Sequence, residues 1–277
     1  MSVHPAIPEH IGQVVAARRF ADGNTAELWL IDLAGGRRVV AKRGKGLMLE
    51  GAMLRHLADH SRLPVPELFH ADDSLLVMSW IEGGGGLNAP VQEHAAELVA
   101  GLHDVGAERY GFAFDTLIGP LHQPNPESKD WIEFFRDHRL MHMARLALKE
   151  KRLDGGLMGS IERLAELLPN LIGEPAPPSL IHGDLWGGNI LAHRGRIAGF
   201  IDPAVYHADP EIELAFSTLF GTFGEPFFRR YAELRPIRPG FFEVRRDIYN
   251  LYPLLVHVRL FGGSYRGQVA GIVSRFV

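Results

Sequence analysis

Residues 180–203, LIHGDLWGGNILAHRGRIAGFIDP, constrain the fold more than any other stretch of the chain. An apolar strand, a polar loop, a second apolar strand over 189–192, a turn over 193–196 and a third apolar strand follow in that order, and the run ends at Asp202. Strands this short and apolar have to be buried, so the polar residues at their ends are carried to the rim of a packed core. One polar cluster holds His182, Asp184 and Asn189; the second is Asp202.

Asp184 and Asn189 are spaced D-x-x-x-x-N, and Asp202 lies 13 positions beyond Asn189. Phosphoryl transfer from ATP uses such a set. One carboxylate accepts the proton of the attacking hydroxyl. An amide oxygen and a second carboxylate hold Mg²⁺, a hard cation that takes oxygen ligands. Ordinary turn formation explains any one of these residues alone. Four of them at strand ends favour the chemistry. A metal-hydrolase site built on His182 and Asp184 would need further clustered histidines, which the sequence lacks.

The remaining parts of such a site are sought upstream. Ala26–Leu33 alternates like a strand, residues 34–37 form a turn, and residues 38–42 (RVVAK) read as its hairpin partner. Leu47–His60 reads as a helix with Leu47, Glu50, Leu54 and Leu57 on one face. A glutamate on an apolar face needs a partner, and Lys42, which ends the apolar strand, supplies it; the ammonium would then reach the α- and β-phosphates. A snorkelling surface lysine and a boundary glutamate paired elsewhere are the plainer alternatives. Gly23 and Asn24, in the turn 21–25, are candidates for covering the phosphates with backbone N–H groups. Met78 and Trp80, at the end of the apolar strand 75–80, are candidates for a hinge that holds adenine.

Four consecutive glycines, 83–86, read as a flexible connection, and the boundary between two lobes is placed there: an N-lobe over 1–82 that covers the nucleotide and a C-lobe over 83–277 with the catalytic loop and the acceptor site. Beyond it helical patterns run over 90–105, 128–151, 155–168, 211–220, 241–261 and 264–276, broken by proline-rich loops at 119–126 and 174–178. The expected fold is α+β, with a small antiparallel sheet and one main helix in the N-lobe and a larger helical C-lobe, a two-lobed protein-kinase-like arrangement with its ligands between the lobes. With 46% hydrophobic and 22% charged residues, the 277-residue chain can build a sizeable core. A net charge of −4 argues against a nucleic-acid partner. The absence of cysteine excludes disulfides, thiolate metal sites and thiol catalysis. No H-x-x-x-H pair or histidine-rich tract is singled out, and most of the 14 histidines are read as structural or exposed. Neither a signal peptide nor a transmembrane run is visible, so a cytoplasmic protein without a membrane partner, a monomer or weak dimer, is expected.

HGDLWGGN followed by IDPAVY resembles the fructosamine kinase (ketosamine-3-kinase) family, which sits with aminoglycoside phosphotransferases and choline kinases in the protein-kinase-like fold. IGPLHQPN (118–125), DWIEFFRDHRL (130–140), PPSLIHGDLWGGN (177–189) and LFGGSY (260–265) also look like family segments, in family order. The resemblance implies Asp184 as catalytic base, Asn189 and Asp202 as Mg²⁺ ligands, Lys42 and Glu50 as the lobe-bridging pair, ATP as phosphoryl donor, and the C3 hydroxyl of a ketosamine as acceptor. Trp186 could supply an aromatic plate for a sugar-amine adduct, or could pack the catalytic loop; His122, Asn125, Asp130 and Trp131 lie in family-specific loops and could line the acceptor side. Three residues depart from the family pattern: Thr116 and Arg259 stand where asparagine is common, and Glu213 where aspartate is usual. The Glu213 side chain is expected to brace the catalytic loop, its extra length weakening or shifting the brace. A kinase for another hydroxyl acceptor, such as an aminoglycoside or choline, and a non-catalytic ATP-binding pseudokinase are the alternatives; the second would predict loss of Lys42, Asp184, Asn189 or Asp202, and all four are present.

Overall fold

Strand alternation builds the first layer. In the computed structural model, which describes residues 7–22 and 26–277, β1 (Val14–Asp22), β2 (Ala26–Leu33), β3 (Arg38–Gly44), β4 (Leu68–Ala71) and β5 (Leu75–Ser79) form one antiparallel sheet in the order β1-β2-β3-β5-β4. The register sets Trp29 opposite Ala41, Ile31 opposite Val39, and Ala41 opposite Val77. These residues, with Ile11 and Leu33, make one apolar face. The other face carries Val40, Leu76 and Met78 and packs against Leu47 and Leu54 of α1 (Leu47–His60). Lys42 lies two residues after Val40, and the period of two turns it toward the same helix.

Helix α1 uses two faces. Leu47 and Leu54 meet the sheet, while Met53 and Leu57 belong to the large core of the rest of the chain. Close approach to the sheet is set by Gly51, where a Cβ would stand 2.4 Å from the Ala71 Cβ. The outer rim of α1 does carry an H-x-x-x-H pair, His56 and His60, which corrects the expectation that none stands out. His56 stacks on His60 (centroids 4.2 Å), meets Phe112 edge-on at 4.7 Å and faces His207 at 6.5 Å.

The helical part follows as α2 (Ala89–His103), β6 (Thr116–Ile118), β7 (Leu121–Gln123), α3 (Trp131–Phe135), α4 (Met141–Lys149), α5 (Gly155–Ile172), β8 (Ser179–Ile181), β9 (Ile190–His193), β10 (Arg196–Phe200), β11 (Tyr206–Ala208), α6 (Glu211–Leu219), α7 (Glu225–Leu234), α8 (Arg246–Phe261) and α9 (Ser264–Val273). β8 pairs with β11, β9 with β10 and β6 with β7, each antiparallel. Among the described residues no helix is long and apolar enough to cross a membrane, and no cluster of three or more His, Asp or Glu could hold a metal.

Several expected boundaries move. The helix expected over 128–151 starts at Trp131, because the Asp130 carboxylate caps it by accepting from Glu133 N (3.0 Å), and it is interrupted by a π-helical turn, Arg136–Leu140, where Arg139 enters the core. A second π turn, Phe241–Arg245, opens the helix expected over 241–261. Part of the proline-rich loop is the β6–β7 hairpin, which turns at Gly119 with φ +56°. Helix α7 escaped the periodicity reading; Pro226 in its first turn and buried Phe227 and Tyr231, four apart, were its signals. The glycine run is not a slack tether either. Gly85 N donates to Ala192 O (2.8 Å), and a Cβ on Gly85 would stand 2.9 Å from that oxygen, so the segment is laid against β9.

Burial, together with the His60 and His207 rings, lowers the pKa of His56 from 6.5 to about 4, with Asp59 opposing. The unfolded chain therefore takes up a proton near pH 6.5 that the folded protein refuses until about pH 4. The stability this neutral ring carries is complete above pH 6.5 and is lost as pH falls toward 4. Denaturation midpoints measured from pH 7 to 4 should fall more steeply for the wild type than for His56→Gln.

Candidate active site

The loop between β8 and β9 carries His182, Asp184, Trp186 and Asn189, and its backbone is held from behind. Gly183 has φ +84°, and a Cβ there would stand 2.0 Å from Ala204 O, so only glycine fits. Glu213, in the first turn of α6, accepts from Gly183 N (2.6 Å) and His182 N (3.2 Å). The same carboxylate meets His103 Nε2 at 2.9 Å, and His103 Nδ1 lies 2.7 Å from the Tyr231 hydroxyl. Burial opposes the charge on Glu213, but these partners outweigh it and hold its pKa below the ordinary value. The expected brace of the catalytic loop is present with glutamate at this position. The longer side chain spans both amides and is itself anchored by α2 and α7. His182 is fully buried, and burial keeps its ring neutral.

Asp184 and Asn189 meet directly. Asn189 Nδ2 donates to Asp184 Oδ2 (2.8 Å) and Asp184 O (2.9 Å), leaving the amide oxygen as its remaining acceptor. Burial, with the carboxylates of Asp202 and Glu213, raises the Asp184 pKa to about 7 against the hydrogen bonds from Asn189 and Trp186. Asp202 follows β10 at φ +55°, a left-handed conformation that aspartate tolerates better than most residues. It ion-pairs with Lys42, which also donates to Glu50 Oε1 at 2.6 Å. Burial works against the Lys42 ammonium, yet the two carboxylates prevail and raise its pKa. Five of the sequence-derived positions, Lys42, Glu50, Asp184, Asn189 and Asp202, thus share one cleft between the sheet and the helical part.

The other expected residues fare unevenly. Gly23 and Asn24 lie outside the described residues. The Met78 side chain is buried on the α1-facing side of the sheet, which leaves the residue's backbone as the hinge candidate. Trp80 N donates to Arg38 O (3.2 Å), so that N–H is already engaged. Trp186 is 40% exposed beside the catalytic loop and lies over Gly188, where a Cβ would stand 2.3 Å from its ring.

The four residues expected on the acceptor side do not gather there. Trp131 is fully buried and donates from Nε1 to the Tyr249 hydroxyl (2.9 Å). Asp130 is the α3 cap. Asn125 is buried, donates to Thr116 Oγ1 (2.8 Å) and accepts from the Arg139 guanidinium (2.5 Å). His122 is exposed and pairs with Asp115 (2.8 Å). The loop they come from works behind the site instead. Gln123, which the sequence did not single out, donates to Thr116 Oγ1 (2.8 Å) and Ala204 O (3.1 Å) and accepts from the Tyr252 hydroxyl (2.5 Å), tying down the segment after Asp202. Thr116 is therefore absorbed into this network, and Arg259 is absorbed by Glu150 (2.6 Å). Thr222, also unforeseen, accepts from Gly187 N (2.9 Å) and fixes the far half of the catalytic loop. Gln123 ends β7 and Thr222 lies in the loop before α7, and because their partners are remote along the chain neither carries a spacing signal.

Removing the Glu213 carboxylate leaves two buried amides and His103 without their acceptor. Glu213→Ala should lower the unfolding free energy by about 3 kcal/mol and reduce turnover, while Glu213→Gln, which keeps one acceptor, should lose less; denaturant titration and steady-state kinetics read both effects.

The sequence profile of the fructosamine kinase family matches residues 41–277. A probable ketoamine kinase of Synechocystis is 37% identical over 210 residues, which span 74% of this chain and 68% of that protein. The crystal structure of a candidate fructosamine-3-kinase from Thermobifida fusca superposes with a TM-score of 0.86 at 32% identity, over 94% of this chain and 93% of the other. An aminoglycoside phosphotransferase solved with AMP-PNP and hygromycin B shares the fold alone, with a TM-score of 0.70 at 19% identity over 96% of each chain. The chain belongs to the fructosamine kinase family, ATP-dependent kinases of two-lobed, protein-kinase-like fold.

Proposed function

We propose that this protein transfers the γ-phosphoryl group of ATP to the C3 hydroxyl of a ketosamine, such as a fructosamine or ribulosamine adduct of an amine. The observation that supports it most is the convergence, in one cleft, of the Asp184–Asn189 contact (2.8 Å) and the Lys42–Glu50 pair (2.6 Å), with Asp202 bonded to Lys42 between them. In this reading residues 1–82 cover the nucleotide and residues 83–277 carry the catalytic loop and the acceptor. The same reading takes the protein as cytoplasmic, without a nucleic-acid partner, and as a monomer or weak dimer.

The donor set suits Mg²⁺. Asn189 offers an amide oxygen and Asp202 a carboxylate, both hard ligands that would hold the ion. Bound there, the ion would offset the charge that develops on the phosphate oxygens. Lys42, oriented by Glu50, holds the α- and β-phosphates. Asp184 accepts the proton of the C3 hydroxyl as its oxygen bonds to the γ-phosphorus, and the bond from that phosphorus to the β,γ-bridging oxygen breaks to release ADP. Burial raises the Asp184 pKa to about 7, and a cation held by Asn189 and Asp202 would lower it toward the ionised form that a base needs. Trp186 offers its exposed ring to the sugar-amine adduct.

The test is phosphate transfer from ATP to ribulosyl-lysine and fructosyl-lysine with and without Mg²⁺, with NMR locating the phosphate. Product at C3 is expected. Asp184→Asn should reduce kcat by at least ~100-fold and still be stabilised thermally by Mg-ATP, and Asp202→Ala should lose Mg²⁺-dependent turnover. Near-normal turnover by Asp184→Asn overturns the assigned role. Transfer to neither compound, with Mg-ATP still bound, overturns the acceptor.

A further inference from the structure

The phosphoryl-transfer cleft leaves one pair of metal-ligand side chains unused, the two histidines at the rim of α1. His56 and His60 are four positions apart, so they project from the same side of two successive turns. Their ring centroids are 4.2 Å apart, with the ring planes only 19° from parallel. Two imidazoles held side by side by a helix offer a pair of nitrogen donors to one ion, which is how H-x-x-x-H segments bind metal. The fold holds the pair in place. Leu57, the residue after His56, is fully buried in the large core, and Phe112 meets the His56 ring edge-on at 4.7 Å, so α1 cannot turn the histidines away.

The ring nitrogens are sorted as well. His60 Nδ1 lies 3.0 Å from His56 O. A carbonyl oxygen only accepts, so Nδ1 carries the proton and Nε2 of the neutral ring keeps its lone pair. A ring N–H given to a backbone carbonyl is the usual support of a histidine that ligates metal through its other nitrogen. Among the described residues no hydrogen bond or ion pair engages a ring nitrogen of His56, and burial favours the neutral form of that ring. Asp59 adds negative potential at the pair. His60 is exposed and His56 half-buried, which opens the pair to solvent.

Imidazole nitrogen suits Cu²⁺, Ni²⁺ and Zn²⁺, and the intrinsic order of these ions puts Cu²⁺ first. Mg²⁺ prefers oxygen, so this pair differs in kind from Asn189 and Asp202 in the cleft. His207 also faces His56, but at 6.5 Å between centroids, and no third His, Asp or Glu completes a cluster among the described residues. We propose that His56 and His60 form a two-histidine chelate for Cu²⁺, with Ni²⁺ and Zn²⁺ bound less tightly and water in the remaining positions. The ion ties together the last two turns of the helix that presents Glu50, and because it binds the folded chain it stabilises it.

Calorimetric titration of the untagged, nucleotide-free protein at neutral pH with CuCl₂, NiCl₂, ZnCl₂ and MgCl₂ tests it. The tightest site should take one Cu²⁺ per chain, Ni²⁺ and Zn²⁺ should bind more weakly, and excess Mg²⁺ should displace none of them. His60→Gln, at an exposed position, should weaken Cu²⁺ by at least ~10-fold, because the chelate becomes a single ligand, and His56→Gln should do the same. His207→Gln should leave the affinity unchanged. EPR of the bound Cu²⁺ should show two ligating imidazoles in the wild type and fewer in His60→Gln. Cu²⁺ should raise Tm in the wild type and not in His60→Gln. An affinity and a spectrum that survive His60→Gln overturn the proposal, as does a loss in His207→Gln as large as that in His60→Gln, which would put the ion on a different set of histidines.

Discussion

One buried ammonium ties the molecule together. Lys42 comes from β3, Glu50 from α1 and Asp202 from the segment after β10, and the two carboxylates meet the buried ammonium, Glu50 from the buried side and Asp202 from the solvent side. Leaving the buried Lys42 ammonium without its carboxylates is costly, because a charge stripped of water has to be compensated. The sheet, the helix and the catalytic segment are therefore coupled: the helix can sit at only one depth and one rotation if Glu50 is to reach Lys42. Gly51 supplies the depth, since a side chain at that position would push α1 away from Ala71. Met53 and Leu57 supply the rotation by seating the other face of α1 in the large core.

Behind the cleft the fold is organised so that backbone, rather than side chains alone, is positioned. Glu213 holds two successive amides of the catalytic loop, Thr222 a third, and Gln123 holds the carbonyl of Ala204. Each of these groups is itself bonded on its far side or enclosed in the core, so the loop is stiff before any ligand arrives. Such preorganisation is what phosphoryl transfer asks of a protein, because most of the work is placement and electrostatics. The cleft is also electrically unfinished. Burial and the carboxylates around Asp184 raise its pKa to about 7, and a cation bound nearby would favour its ionised form.

Much of this was legible in the chain. The D-x-x-x-x-N spacing and the acid 13 positions on identified three residues that the fold brings to one cleft, and period-two alternation put Lys42 on the side of the sheet that faces Glu50. The bounds of β2 and α1 were readable because each is a clean pattern against one apolar surface. What misled was composition. Four glycines suggested slack, but the absence of side chains there lets the backbone lie against Ala192. The aromatic and polar residues of 122–131 suggested a ligand face, but Trp131 and Asn125 are consumed by Tyr249, Thr116 and Arg139 inside the core.

The sequence by itself determined which chemistry the chain carries, because the identities and spacing of a base, an amide and a second acid survive in one dimension. It determined the β2–β3 hairpin, β5 and the main helix as well, because hydrophobic period is a local property, but not β1, β4 or α7. Only the tertiary structure decided which polar residues face the cleft and which face each other. Hydrogen-bond partners such as Gln123 and Ala204, or Glu213 and His103, lie far apart along the chain, and no local pattern encodes their meeting. A run of aromatic rings from Trp186 through Phe220 and His257 to Tyr265 was likewise decided in three dimensions, since the loop after α6 and the end of α8 are brought beside the catalytic loop by packing alone.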